Sequence, residues 1–89
     1  DFGKKTVRRV AVVSGGAAGE IEEAGCKGVD VFLSGEPALP AYRLAQEYGI
    51  HAIFGGHYAT EVFGVRALAD VVRRRFGVKA EFIDLRVPY

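Results

Sequence analysis

The sequence predicts an α/β fold: a mostly parallel four-stranded sheet flanked by helices in three layers. Strand-like and helix-like stretches alternate along the whole chain as β-α-β-α-β-α-β, the pattern of β-α-β units. The strand-like stretches are nearly continuous apolar runs, as in a parallel sheet buried on both faces. Three of them end in similar punctuation: Ser14-Gly15-Gly16, Ser34-Gly35-Glu36 and Gly55-Gly56-His57.

The first strand spans Val7–Val13, built on the run Val10-Ala11-Val12-Val13. Ala17–Cys26 reads as a short helix with Ile21 and Ala24 turned inward, and Val29–Leu33 as the second strand. Pro37–Tyr48 is the second helix. Pro37 and Pro40 fall in its first turn, where a missing N–H costs little, and Gly49 is a natural stop. Ile50–Phe54 is the third strand. Tyr58–Phe76 is the longest helix, closed by Gly77. Val78–Leu85 reads as a final strand, and Val87-Pro88-Tyr89 is a tail. No linker, low-complexity tract or strict repeat interrupts residues 1–89, which read as one α/β segment.

Composition narrows the function. The 89 residues suit one small domain or part of a larger one, and 49% hydrophobic content is globular. The net charge of +1 argues against strong attraction to nucleic acid or to an anionic membrane. Cys26 is the single cysteine, so no disulfide forms within the chain and a cytoplasmic location is expected. The apolar runs are far shorter than a membrane span, and no signal peptide is visible. The start at Asp1, just before a Lys/Arg-rich approach to the first strand, points to a fragment, a processed product or a partial chain.

The motif that carries chemistry is Gly55-Gly56-His57-Tyr58-Ala59-Thr60-Glu61. Positions i and i+4 share one face of a helix, and imidazole with carboxylate can hold a divalent metal. In a parallel sheet the three glycine turns emerge at the C-terminal edge, where open α/β proteins bind ligands. That topology gathers Ser14, Ser34, Glu36, His57 and Glu61 on one side. On a helical wheel Glu61 falls between Leu68 and Val72, in the arc that continues from His57 to Val65 and Phe76, while Arg66 lies opposite. Glu61 is therefore on the apolar side, where a carboxylate needs a cation unless the first turn protrudes past the sheet edge into water. His51, a strand length away at the start of the third strand, reads as a surface or core histidine. Further ligands must come from Glu36 and Ser34 or from outside the chain.

These residues carry a resemblance. Gly55–Glu61, the following Gly64-Val65-Arg66-Ala67-Leu68 and the closing Phe82-Ile83-Asp84 resemble the C-terminal segment of the hexameric dinuclear-metal-centre proteins, also called GTP cyclohydrolase I type 2 homologues. Val12-Val13-Ser14-Gly15-Gly16-Ala17 and Ser34-Gly35-Glu36 are similar to that family's Ser/Thr-Gly-Gly and Thr-Gly-Glu turns, in the same order and spacing. Ser34 stands where Thr is more usual, and Pro40 where several relatives carry a polar residue or His. The resemblance implies that His57 and Glu61 are metal ligands, with Glu61 able to reach both ions of a pair. The other ligands, adjacent histidines and an aspartate, belong to a segment absent here. It implies two divalent ions (zinc, iron, manganese or magnesium), a homohexamer, and hydrolysis of a nucleotide substrate. Two close cations bring a shared water near neutral pKa and polarise a substrate oxygen.

Other residues admit two readings. Ser14-Gly15-Gly16 could cradle a phosphate but lacks the Lys of a P-loop, so a plain tight turn is favoured. Glu36 and Ser34 either support the ligands or face a substrate, or Glu36 is a solvated loop carboxylate. Tyr58 could stack on a base, though packing is the commoner role. Arg73-Arg74-Arg75 with Lys4, Lys5, Arg8 and Arg9 read as solvated faces, and Cys26 as an inert thiol. Against the metallohydrolase stand a non-catalytic ring-forming or partner-binding module with structural or regulatory metals, and a metal-free nucleotide binder built on the Ser14 turn.

Overall fold

In the computed structural model, which describes residues 1–88, three short apolar runs pair as a parallel sheet. They are β1 (Val10–Val13), β2 (Val31–Ser34) and β3 (His51–Phe54), in that order across the sheet. The register aligns Val10 with Val31 and His51 at one end, and Val13 with Ser34 and Phe54 at the other. The helices are α1 (Ile21–Cys26), entered through a 3-10 turn at Ala18–Glu20, α2 (Ala41–Tyr48) and α3 (His57–Phe76).

Strand alternation sends Ala11, Val13, Phe32, Ala52 and Phe54 to one face, where they meet Ile21 and Ala24 of α1 and Ala41 and Ala45 of α2. Phe32 and Ile21 are the largest fully buried side chains. Burial of each contributes about 1.5–3 kcal/mol. α1 and α2 pack against each other and so share that face.

The opposite face is open over the two edge strands, while Val31 of the central strand is buried. Val10, Val12 and Ile53 are 56%, 71% and 50% exposed. The chain therefore forms a sheet covered on one side, where three layers were expected. The continuous apolar strands predict cover on both faces, but among the described residues nothing covers Val10, Val12 and Ile53.

The expected fourth strand, Val78–Leu85, does not form. The sheet has three strands, and residues 77–88 carry no strand among the described residues. A 20-residue helix is about 30 Å long, so α3 delivers the chain far from the sheet edge. The segment returns along the helix instead. Arg73 Nε donates to the Ala80 carbonyl at 2.6 Å, the Arg66 guanidinium sits 4.7 Å over the Phe82 ring, and Tyr58 donates to Asp84 at 2.6 Å. An extended chain on a helix has no ladder partner. Tyr89, the end of the expected tail, lies outside the described residues.

No residue of α3 is buried. Its apolar stripe faces solvent, and the radius of gyration is 16.4 Å, against about 12 Å for a compact chain of this size.

Boundaries shift for local reasons. β1 begins at Val10 because the Arg8 and Arg9 N–H groups both donate to Asp30 Oδ2 at 2.9 Å, which removes them from any ladder. α2 begins at Ala41 because Ala38–Ala41 closes a separate turn and Pro40 serves as the cap residue. Gly49 ends α2 with φ of +62°, as its sequence position predicts.

Candidate metal centre at the sheet edge

Three turns meet where the strands end, and one carbonyl ties two of them. The Gly15 oxygen accepts from Ser34 Oγ at 2.9 Å, from the Gly35 N–H at 3.0 Å and from the Glu36 N–H at 3.3 Å. The third turn joins through the Gly55 N–H, which donates to the Ser34 carbonyl at 3.0 Å. Gly35 is required by close approach: a Cβ there would stand 2.8 Å from the Gly15 oxygen and 3.1 Å from His57 Cα.

On this frame α3 begins. Gly56, with φ of +93°, turns the chain out of β3, and Thr60 Oγ donates back to the Gly56 carbonyl at 2.8 Å within the first turn. His57 then lies between two carboxylates. Its Nδ1 is 3.2 Å from Glu36 Oε1 and its Nε2 is 3.1 Å from Glu61 Oε1. All three side chains are partly exposed, at 36% for His57, 37% for Glu36 and 49% for Glu61. Glu61 thus protrudes past the sheet edge, the alternative its helical position allowed. The Glu36 carboxylate raises the His57 pKa above its ordinary value, opposed by partial burial and reinforced by Glu61.

The donor chemistry fits half of a metal site. A Cβ on Gly15 would stand 3.3 Å from Glu61 Oε1 and 3.6 Å from His57 Nε2, so both donors border the same side-chain-free space. Glu36 lies on the opposite ring nitrogen, beside Gly16. Among the described residues no group of three His, Cys, Asp or Glu side chains is arranged to hold a metal ion. A metal here needs donors beyond His57 and Glu61.

The remaining candidates separate. Ser34 is buried with its hydroxyl committed to Gly15, so it holds the turn and presents nothing outward. Ser14 and Gly16 border a groove of about 550 Å3 beside β1 whose rim carries Glu20, Glu23 and Lys27. With Glu36 and Glu61 beside Gly16 and Gly15, a phosphate at this turn would meet like charge. Tyr58 turns to Asp84, which pushes its phenol pKa up, while the bond holds Asp84 below the usual carboxylate range. No local spacing signals that pair, whose members are 26 residues apart.

His51 is structural. Nδ1 accepts from the Gly3 N–H at 3.3 Å and Nε2 donates to the Lys4 carbonyl at 2.9 Å, fastening the N-terminal segment to β3. Cys26 is a free thiol 3.8 Å from the Tyr48 hydroxyl, whose pKa is pushed up to about 12 by that contact first. Arg73 pairs with Asp70, and Arg9 donates to the Lys27 carbonyl at 2.8 Å, so these two arginines are tied into separate local contacts.

The model of the Duf34/NIF3 (NGG1p interacting factor 3) family matches residues 1–87. The chain belongs to this family. A Duf34/NIF3-like relative from Archaeoglobus fulgidus, named GTP cyclohydrolase 1 type 2 homolog, is 48% identical over 84 residues, covering 94% of this chain and 34% of the relative. A solved structure of the protein ybgI, described as of unknown function, superposes with a TM-score of 0.93 at 37% identity, covering 100% of this chain and 36% of that one. TTHA1606 from Thermus thermophilus superposes with a TM-score of 0.87 at 35% identity, over 99% of this chain and 35% of that one. The chain thus spans about a third of the length of the Duf34/NIF3 relatives it matches.

Proposed function

We propose that this chain supplies a histidine and a glutamate ligand to a dinuclear metal centre of a hydrolase in the Duf34/NIF3 family. The observation that carries the reading is the pair His57 Nε2 and Glu61 Oε1, 3.1 Å apart and bordering the open space at Gly15. A divalent pair bound there would supply Lewis-acid activation of water and of a substrate oxygen. The chain's own residues do the holding. His57 and Glu61 present one nitrogen and one carboxylate to a common point, and the tied turns fix the start of α3 beneath them. A nucleotide is the substrate class that the name of the A. fulgidus relative favours. A homohexamer and a cytoplasmic location complete the reading.

The test is metal analysis of the full-length protein. Two ions per chain are expected, falling in His57→Ala and in Glu61→Ala; unchanged stoichiometry in both variants would sink the reading. A second reading, a non-catalytic assembly module with structural metals, is favoured by the open apolar face at Val10, Val12 and Ile53. It predicts full metal occupancy with no turnover across a panel of nucleotides.

A further inference from the structure

We propose that Glu36 is the positioning residue of the candidate metal centre, holding the Nδ1 edge of His57 so that the Nε2 edge faces Glu61 and the metal space. This inference rests on the metal reading above and deepens it.

Four independent features place the Glu36 carboxylate. Its backbone is fastened, because its own N–H and that of Gly35 both donate to the Gly15 carbonyl. The residue before Gly35 adds a third bond from Ser34 Oγ to the same oxygen. Gly16 leaves the space the carboxylate occupies, since a Cβ there would stand 2.8 Å from Glu36 Oε1. Gly35 lets the backbone of His57 come close, with its Cα only 3.1 Å from where a Cβ would sit. The turn Ser34-Gly35-Glu36 is thus shaped to deliver one carboxylate to one imidazole edge.

The two edges of the ring then have different tasks. Glu36 at 3.2 Å takes Nδ1, and Glu61 at 3.1 Å stands with Nε2. Glu61 also borders the space at Gly15, while Glu36 borders the neighbouring Gly16. A histidine that ligates a metal through one nitrogen commonly offers the other N–H to a carboxylate, which fixes the ring's orientation, and loss of such a partner costs about 10–100-fold in metal affinity. Glu36 meets that description from a separate turn, so the orientation of His57 is set before any metal arrives.

The test uses the full-length protein as wild type, Glu36→Ala, Glu36→Gln and His57→Ala. Zinc affinity is read by competition with a chelator. The coordinated nitrogen is read by coupling between bound cadmium and 15N-labelled histidine. In wild type the cadmium couples to Nε2 of His57. Glu36→Ala is expected to lose about 10–100-fold in zinc affinity and the single Nε2 coupling. Glu36→Gln keeps an acceptor for the Nδ1 proton and is expected to restore both. Wild-type affinity and coupling in Glu36→Ala, with His57→Ala impaired, would overturn the role of Glu36 and leave the metal reading standing. Loss of the ion in Glu36→Ala and Glu36→Gln to the same extent as in His57→Ala would make Glu36 a ligand and overturn positioning. Unchanged metal binding in His57→Ala overturns both readings.

Discussion

Ser34 Oγ donates to the Gly15 carbonyl at 2.9 Å, joining two turns 19 residues apart from a buried position. Replacing Ser34 with Ala removes one of three donors to that oxygen and leaves the two backbone bonds. The expected cost is about 1 kcal/mol, the net worth of a typical intramolecular hydrogen bond. Urea unfolding of the variant should show a lower midpoint with an unchanged slope.

Phe32 bears more weight. It is fully buried between the sheet and both packed helices, and Phe→Ala in a core costs about 3–5 kcal/mol. A domain of this size has about 5–13 kcal/mol in total. Phe32→Ala should therefore lower the thermal midpoint sharply, or remove cooperative unfolding altogether, in a circular dichroism melt.

The His57 cluster carries a pH signature in metal-free protein. The folded-state pKa of His57 is raised above 6.5, chiefly by Glu36. The stability linked to it is fully present below the unfolded value and is lost as pH rises through the folded value. Unfolding measured across that window should show the decline, and Glu36→Ala should flatten it. A decline of equal size in the variant would count against the assigned cause.

Asp30 gives the opposite sign. Its carboxylate accepts the Arg8 and Arg9 N–H groups and is held below its ordinary pKa by them. Its contribution is present above the unfolded value, near 3.8, and is lost as pH falls through the lower folded value. Asp30→Asn keeps an oxygen acceptor and should show only a shallower acid limb than the wild type, whereas Asp30→Ala should also lose hydrogen-exchange protection at the N–H groups of Arg8 and Arg9.

Tyr58→Phe removes the 2.6 Å bond to Asp84 that fastens the returning segment to α3. Limited proteolysis should cut residues 82–86 faster while β1, β2 and β3 stay protected. Uniform acceleration would instead mean that this segment contributes to the core.

Much of this was legible because it is local. Alternating runs located three strands and three helices, and Gly49 and Gly77 marked two helix ends, both left-handed in the structure. The gathering of His57, Glu61 and Glu36 follows from parallel strands alone. The Glu36 contact with Nδ1 was not legible, because it depends on the bonds to the Gly15 carbonyl. The fourth strand misled for a related reason. Val78–Leu85 is rich in apolar residues like a strand, but a strand needs a neighbour, and α3 carries this segment away from the sheet. The wheel placed Glu61 on an apolar stripe without revealing that the stripe itself faces water.

The open face of the sheet has a thermodynamic consequence for the site. Ile53, half exposed there, lies in the same strand that ends at Gly55-Gly56-His57. A molecule that covered Val10, Val12 and Ile53 would bind the folded strands and not the unfolded chain. By mass action it would stabilise the ends of those strands, and with them the seat of His57. Occupancy of that face and order at the sheet edge are therefore linked quantities: binding at the valines and Ile53 would steady the histidine that follows β3.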